Sequence, residues 1–476
     1  MTARDDLAMK RLKPVLVFLL ASSACLRFLG LGDARLHGDE AYYWCWSRCI
    51  NPPVFPTGFY DHPPGVAYMI WASTLFGLVN DEFMVRWASS LFGVATVYMV
   101  FLLGRRLYGS RAGLLAAILA GVNPALVLLS RLATPDAPLL FFFTLCLYLF
   151  WRAVETESDR MMICTGLVLG LGMNFKYPMI LLFPVFFLHL LLYHRGWFRR
   201  RALYLSFLVF LMVFSPVIVW NVQKGFASFR YQGAHLAAKI GLDLTYYFVA
   251  YLWIFSVPLL VVLWLGVLYA LRKHRERDVL MISALSVVYL CFSISQQRLF
   301  HWAIPIFIPM SVVTSSMLTD MGRRVSRRRK TFKVLVIIST IFLGYMIWHS
   351  AHLSTRFAQS MNEAAVTYVQ VGAYITKIRP SVPDSIVVSE NYWIASQVEY
   401  YSGVVCYSVD RVPFHSDYRP IPPFRNVLIV TATGALVRWI TPHCEGVVFL
   451  RAFGQKPVIS VYLALGFEGS HSRSSP

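Results

Sequence analysis

Long apolar runs separated by short polar turns repeat along most of the chain. A membrane core requires about 20 apolar residues per crossing helix. Runs of that order fall at 14–31, 84–103, 112–130, 137–151, 161–174, 178–194, 202–220, 246–271, 279–295, 300–318 and 333–351. They predict an α-helical polytopic membrane protein with about eleven transmembrane helices. Gly65 to Val79 is also apolar but shorter. It is read as an interfacial or re-entrant helix, because counting it as a crossing would invert the side of every later loop.

From about His352 the pattern changes. Short β-branched runs at 385–389, 404–409, 426–431 and 447–453 predict strands, and stretches at 361–378, 395–402 and 434–440 predict helices. Their alternation predicts a small α/β domain. The expected division is a membrane module at 1–351, with a long first outer loop at 32–83, and an extramembrane domain at 352–476.

Composition sharpens the class. The chain is 57% hydrophobic and 14% charged, with a mean hydropathy of +0.57, too little charge to cover a soluble protein of this size. Its net charge of +20 does not indicate nucleic acid, because the cations sit in clusters between apolar runs. The first run follows Lys10, Arg11 and Lys13 and reads as an uncleaved signal anchor. Arg105, Arg106 and Arg111, then Arg152 and Arg160, Arg195 to Arg201, Arg272 to Arg277, and Arg323 to Lys330 all fall in alternate loops. Cytoplasmic loops carry such clusters. The other loops and the C-terminal domain then face the periplasm, outside the cytoplasmic (inner) membrane. There Cys45 with Cys49, and Cys406 with Cys444, could form disulfides.

The outward loops carry the candidate chemistry. His37-Gly38-Asp39-Glu40-Ala41-Tyr42-Tyr43-Trp44 follows the first run. Adjacent carboxylates at a membrane surface are costly, so Asp39 and Glu40 either act on an acceptor or cap the following helix. The same carboxylates could hold a divalent cation against a phosphate. Downstream, two prolines stiffen Tyr60-Asp61-His62-Pro63-Pro64-Gly65. In the next outer loop, Ala133-Thr134-Pro135-Asp136-Ala137-Pro138 offers a second carboxylate. Lys176, in Asn174-Phe175-Lys176-Tyr177-Pro178, either snorkels or neutralises a phosphate. Gln297-Arg298-Leu299-Phe300-His301-Trp302 adds an arginine able to grip phosphate through two hydrogen bonds.

Taken in this order, these motifs resemble the GT-C glycosyltransferases, in the group related to protein O-mannosyltransferases and lipid A aminoarabinose transferases. The resemblance runs from the first apolar run to about residue 310, and Ser389 to Gly403 resembles the start of the soluble domain that often ends these enzymes. It implies a sugar donor on a polyprenyl phosphate and inversion at the anomeric carbon. Asp39 would match the catalytic acidic residue and Asp136 the second acidic residue, with Glu40 beside Asp39. Lys176, Arg298 and His301 would lie near the donor phosphate, and Asp61, His62, Tyr42 and Tyr43 on the acceptor side. Histidine at 62, where aminoarabinose transferases carry lysine, argues against that particular donor.

Glycosyl transfer needs a stabilised leaving group and an acceptor oxygen held in line. The expected function is transfer of a sugar to lipid A or another glycolipid. The alternatives are transfer to protein and a flippase for lipid-linked sugars. Transporters usually place charges near mid-membrane in duplicated halves. Here the charges gather at one border and no halves match, which favours an enzyme.

Overall fold

The computed structural model describes residues 3–51, 56–59, 61–237, 256–294, 304–325, 329–411, 421–454 and 458–467. The chain forms two compact units. The first comprises Met1–Leu31, Thr57–Val66 and Arg86–Thr355; the second comprises Gly32–Pro56, Ala67–Val85 and Arg356–Pro476.

The first unit is helical. Among the described residues, Glu82–Tyr108, Asp136–Glu155, Arg201–Gln223 and Ile304–Arg324 are long and apolar enough to cross a membrane. A fifth candidate is the pair Ser110–Gly121 and Pro124–Ser130, bent by 65°. The bend falls where Asn123 caps the second helix, its Oδ1 accepting from the amides of Ala125 and Leu126. Helix Gly65–Ser73 has only nine residues. It rises about 14 Å, roughly half of a hydrocarbon core, so it is too short to cross.

Close packing within this unit depends on small residues. A methyl group on Gly166 would lie 2.0 Å from the Ser206 carbonyl, and one on Gly170 would lie 2.8 Å from Val213 Cβ. This small-xxx-small stripe lets helix Asp159–Met173 lie directly on helix Arg201–Gln223. One helical turn further on, Asn174 Nδ2 donates to the carbonyls of Gly170 at 2.8 Å and Val213 at 3.1 Å. The chain break at 174–176 is thereby fixed in place.

In the second unit, β1 (Ser385–Ser389), β2 (Cys406–Ser408), β3 (Asn426–Thr431), β4 (Gly446–Phe453) and β5 (Ile459–Leu465) form one sheet in the order β2-β1-β3-β5-β4. Strand β1 is parallel to β2 and β3, whereas β5 is antiparallel to β3 and β4. Both faces are covered. Val387, Leu428 and Val430 pack with Tyr368, Val371 and Val398 on one side. Ile386, Val388, Val427 and Ile429 pack with Leu436 and Ile440 on the other. Alternate strand residues point to opposite faces, so β-branched residues occupy nearly every position. The four expected strands are present; β5 is an addition.

The disulfide expectation is corrected. Among the described residues, no disulfide joins Cys45 to Cys49 or Cys406 to Cys444. Cys406 belongs to one face of the sheet and Cys444 packs against the other, so the sheet itself separates them. Cys49 Sγ is directed at the Cys45 carbonyl, 3.5 Å away, rather than at the Cys45 sulfur.

Candidate active site

In the first unit, the 174–176 connection is the meeting point of three motifs. The Gly65 amide donates to the Asn174 carbonyl at 2.7 Å. A Cβ at position 65 would lie only 2.4 Å from that oxygen, so glycine permits the approach. The segment before it is also tied down, because Gln232 Nε2 donates to the Asp61 carbonyl at 2.5 Å. Asp61 is buried and His62 half-buried.

Lys176 follows in extended conformation, its amide donating to the Gly172 carbonyl at 3.1 Å. Its Nζ donates to Asp136 Oδ1 at 2.6 Å, with side-chain exposures of 3% and 8%. A snorkelling lysine would reach water, so that alternative is overturned. Asp136 opens helix Asp136–Glu155, where the helix dipole also favours a carboxylate. The Thr134 hydroxyl donates to its other oxygen at 3.2 Å. Beside them, the Phe175 ring stacks on Phe142 at 5.4 Å and meets Phe92 at 5.9 Å. A buried ion pair gains little net stability after both ions are desolvated, which makes it a candidate for function.

Asn174, Ser228 and Gln232 were not singled out by their sequence context. Ser228 shares a hydrogen bond of 2.7 Å with the Tyr177 hydroxyl. Ser228 and Gln232 are four residues apart on helix Ala227–Ala237. That spacing of polar groups on a helix of low apolarity is the one signal that could have drawn attention to them.

In the second unit, His37 caps helix Gly38–Ser47 through a reciprocal box. The Asp39 amide donates to His37 Nδ1 at 3.3 Å, and the His37 amide donates to Glu40 Oε2 at 2.9 Å. Glu40 is fully buried in this role. The Asp39 side chain is 46% exposed, with an oxygen 3.6 Å from His37 Nδ1. A methyl group at Gly38 would strike the Trp393 indole at 1.9 Å, so the motif glycine is set by close packing. Tyr42 packs on Tyr392 at 4.4 Å and on Trp46 at 4.7 Å, and Tyr43 meets Trp46 at 5.2 Å. Tyr60, Arg298 and His301 lie outside the described residues.

Among the described residues, one group has the makings of a metal site: His189, His194 and Glu276. Both imidazole Nε2 atoms approach Glu276 Oε1, at 3.1 and 2.6 Å. His189 lies thirteen positions beyond Lys176 in a helical segment, hence on the order of 20 Å away. The group is therefore remote from the ion pair.

Comparisons with known proteins bear on family and fold. Residues 61–220 match the family model described as dolichyl-phosphate-mannose-protein mannosyltransferase. That stretch contains Asp61, Asp136 and Lys176. The chain is related to the GT-C glycosyltransferases. It is 25% identical to the lipid A galacturonosyltransferase RgtD of Rhizobium johnstonii over 207 residues, 43% of each chain. The chain thus aligns with less than half of that relative's length. The GT-C fold extends much further. ArnT of Cupriavidus metallidurans, solved in the apo state and bound to undecaprenyl phosphate, matches with a TM-score of 0.67 at 13% and 15% identity. The match covers 94% of this chain and 98% of ArnT. The archaeal oligosaccharyltransferase AglB of Archaeoglobus fulgidus matches with a TM-score of 0.59 at 11% identity, over 95% of this chain and 74% of AglB.

Proposed function

We propose that this protein is an integral membrane glycosyltransferase moving a sugar from a polyprenyl phosphate to lipid A or a related glycolipid. It acts at the outer face of the cytoplasmic membrane. One observation above others supports the reading. A buried lysine and a buried carboxylate lie 2.6 Å apart at the connection on which the Asp61–Gly65 motif is docked. The lipid A relative and the undecaprenyl phosphate complex of ArnT support the acceptor and donor classes.

Lys176 counters the phosphate as the glycosidic bond breaks, with Arg298 and His301 adding positive charge. An ammonium has three N–H groups; Asp136 takes one and sets the direction of the others. Asp39 orients the acceptor and, when the acceptor is a hydroxyl, removes its proton. Asp61, His62, Tyr42 and Tyr43 shape the acceptor side. A single in-line displacement inverts the anomeric carbon. A divalent cation would add to the charge of Lys176, and transfer lost on chelation and regained with added metal would reveal it. Eleven helices cross the membrane, and the C-terminal domain lies on the outer side.

Transfer to protein Ser or Thr is the second reading, favoured by the mannosyltransferase family model. Mass spectrometry of glycolipids and envelope proteins from cells with and without the gene decides between them. One sugar missing from a glycolipid supports the first reading, and one missing from a protein supports the second. No missing sugar, with intact lipid-linked sugar held on one leaflet, would indicate a flippase and sink both.

A further inference from the structure

Six arginines from four separate loops and helix ends line one cavity of about 660 Å³ in the first unit: Arg105, Arg106, Arg152, Arg275, Arg277 and Arg323. Positive-inside topology accounts for arginines in cytoplasmic loops, but not for their gathering around a cavity. Nor are they all spread into solvent; Arg105, Arg106, Arg152, Arg275 and Arg277 are half-buried. Arg152 donates to the Tyr148 hydroxyl at 3.2 Å, while its buried Nε has no hydrogen-bond partner among the described residues.

Acidic groups also reach this cluster. Glu155 pairs with Arg106 at 2.6 Å, and Asp320 approaches Arg275 at 3.4 Å and Arg323 at 3.6 Å. Asp278 lies 4.0 Å from Arg275 and accepts from the Tyr108 hydroxyl. Helices Glu82–Tyr108, Asp136–Glu155 and Phe307–Val325 also end here, each presenting about half a negative charge. Among the described residues, three carboxylates thus face six guanidiniums.

We infer that this cavity binds a phosphate group, at the membrane border that the basic loops mark as cytoplasmic. Guanidinium forks suit phosphate oxygens, and basic pockets between membrane helices on that side take anionic head groups. The site is separate from Lys176 and does not depend on the proposed reaction.

The test uses purified full-length protein in phosphatidylcholine nanodiscs, with and without phosphatidylglycerol, and native mass spectrometry of retained lipid. Calorimetry with inorganic phosphate in phosphatidylcholine alone is the soluble arm. Each arginine removed should weaken binding roughly fivefold, in Arg105→Gln with Arg152→Gln and, independently, in the more exposed Arg323→Gln. Arg160→Gln, exposed and outside the cavity, should bind as wild type. Selective loss of phosphatidylglycerol assigns the site to a lipid head; selective loss of inorganic phosphate assigns it to a soluble ester. No binding of either probe by wild type, unchanged binding in folded cavity variants, or equal loss in Arg160→Gln overturns the inference.

Discussion

Lys176 Nζ lies 2.6 Å from Asp136 Oδ1, with both side chains almost wholly buried. Removing one partner strands the other charge, at a cost of about 3–5 kcal/mol. Lys176→Ala should therefore unfold more readily in detergent than wild type. Lys176→Met combined with Asp136→Leu should regain most of that stability, since a well-packed apolar pair replaces ions at little cost. It should remain inactive in sugar transfer. A fully active double variant would remove the pair from the mechanism.

Asp39→Asn separates chemistry from capping. The cap bond from residue 39 is made by its backbone amide, so the variant should insert and fold normally. Transfer to a hydroxyl acceptor should fall by a factor of about 10² to 10⁴, the range for loss of a positioned base. Initial rates with purified protein and lipid-linked donor measure it. Glu40→Ala should instead lower helix stability by about 1 kcal/mol, as loss of a cap partner does.

Gly65→Ala tests the docking of the first loop motif. The added methyl group meets a backbone carbonyl at 2.4 Å and cannot be absorbed by side-chain rotation. Such overpacking costs about 1–3 kcal/mol, and it should lower transfer by displacing Asp61 and His62. Thermal unfolding and rate measurements on the same preparation check both parts.

Acid should loosen the C-terminal domain through Glu390. Burial alone would raise this carboxyl, but hydrogen bonds outweigh it and hold the carboxyl below the usual range. They come from the hydroxyls of Thr431 and Thr433 and the amides of Ala432 and Thr433. A depressed folded pKa stabilises above the unfolded value, about 4.3 for glutamate, and is lost as pH falls through the folded value. Hydrogen exchange of peptides spanning residues 385–433 should accelerate over that window in the full-length protein. Glu390→Gln should flatten this response.

Sidedness is directly measurable. Glu157→Cys and Arg438→Cys both occupy exposed positions. An impermeant maleimide should label the first only from the cytoplasmic side and the second only from the periplasmic side. Labelling of both from one side would overturn the proposed orientation.

Much of the second unit was legible from local pattern. Strands β1 to β4 follow β-branched runs, and helix Tyr392–Ser402 overlaps the expected 395–402, starting three residues earlier behind the Asn391 cap. Strand β5 was missed because Ile459–Leu465 is apolar with only one polar interruption, a pattern shared by buried helix and buried strand. The capping role of Glu40 was legible as an alternative, since a box is encoded within four residues.

Apolar periodicity, caps and the alternation of basic loops act over a few residues or one membrane thickness, so many apolar helices, most of the sheet and the membrane class can be read locally, whereas the fusion of the runs at 333–351 and 361–378 into one helix, Arg329–Ile378, cannot. Contact between residues far apart in the chain depends on how helices and strands pack. Only the tertiary structure brought Lys176 to Asp136, held Asn174 against Gly65, and put Cys406 and Cys444 on opposite faces of one sheet. It likewise gathered arginines from positions 105 to 323 around a single cavity. Those outcomes are set by close approach at glycines and by burial of charge, which no local spacing records.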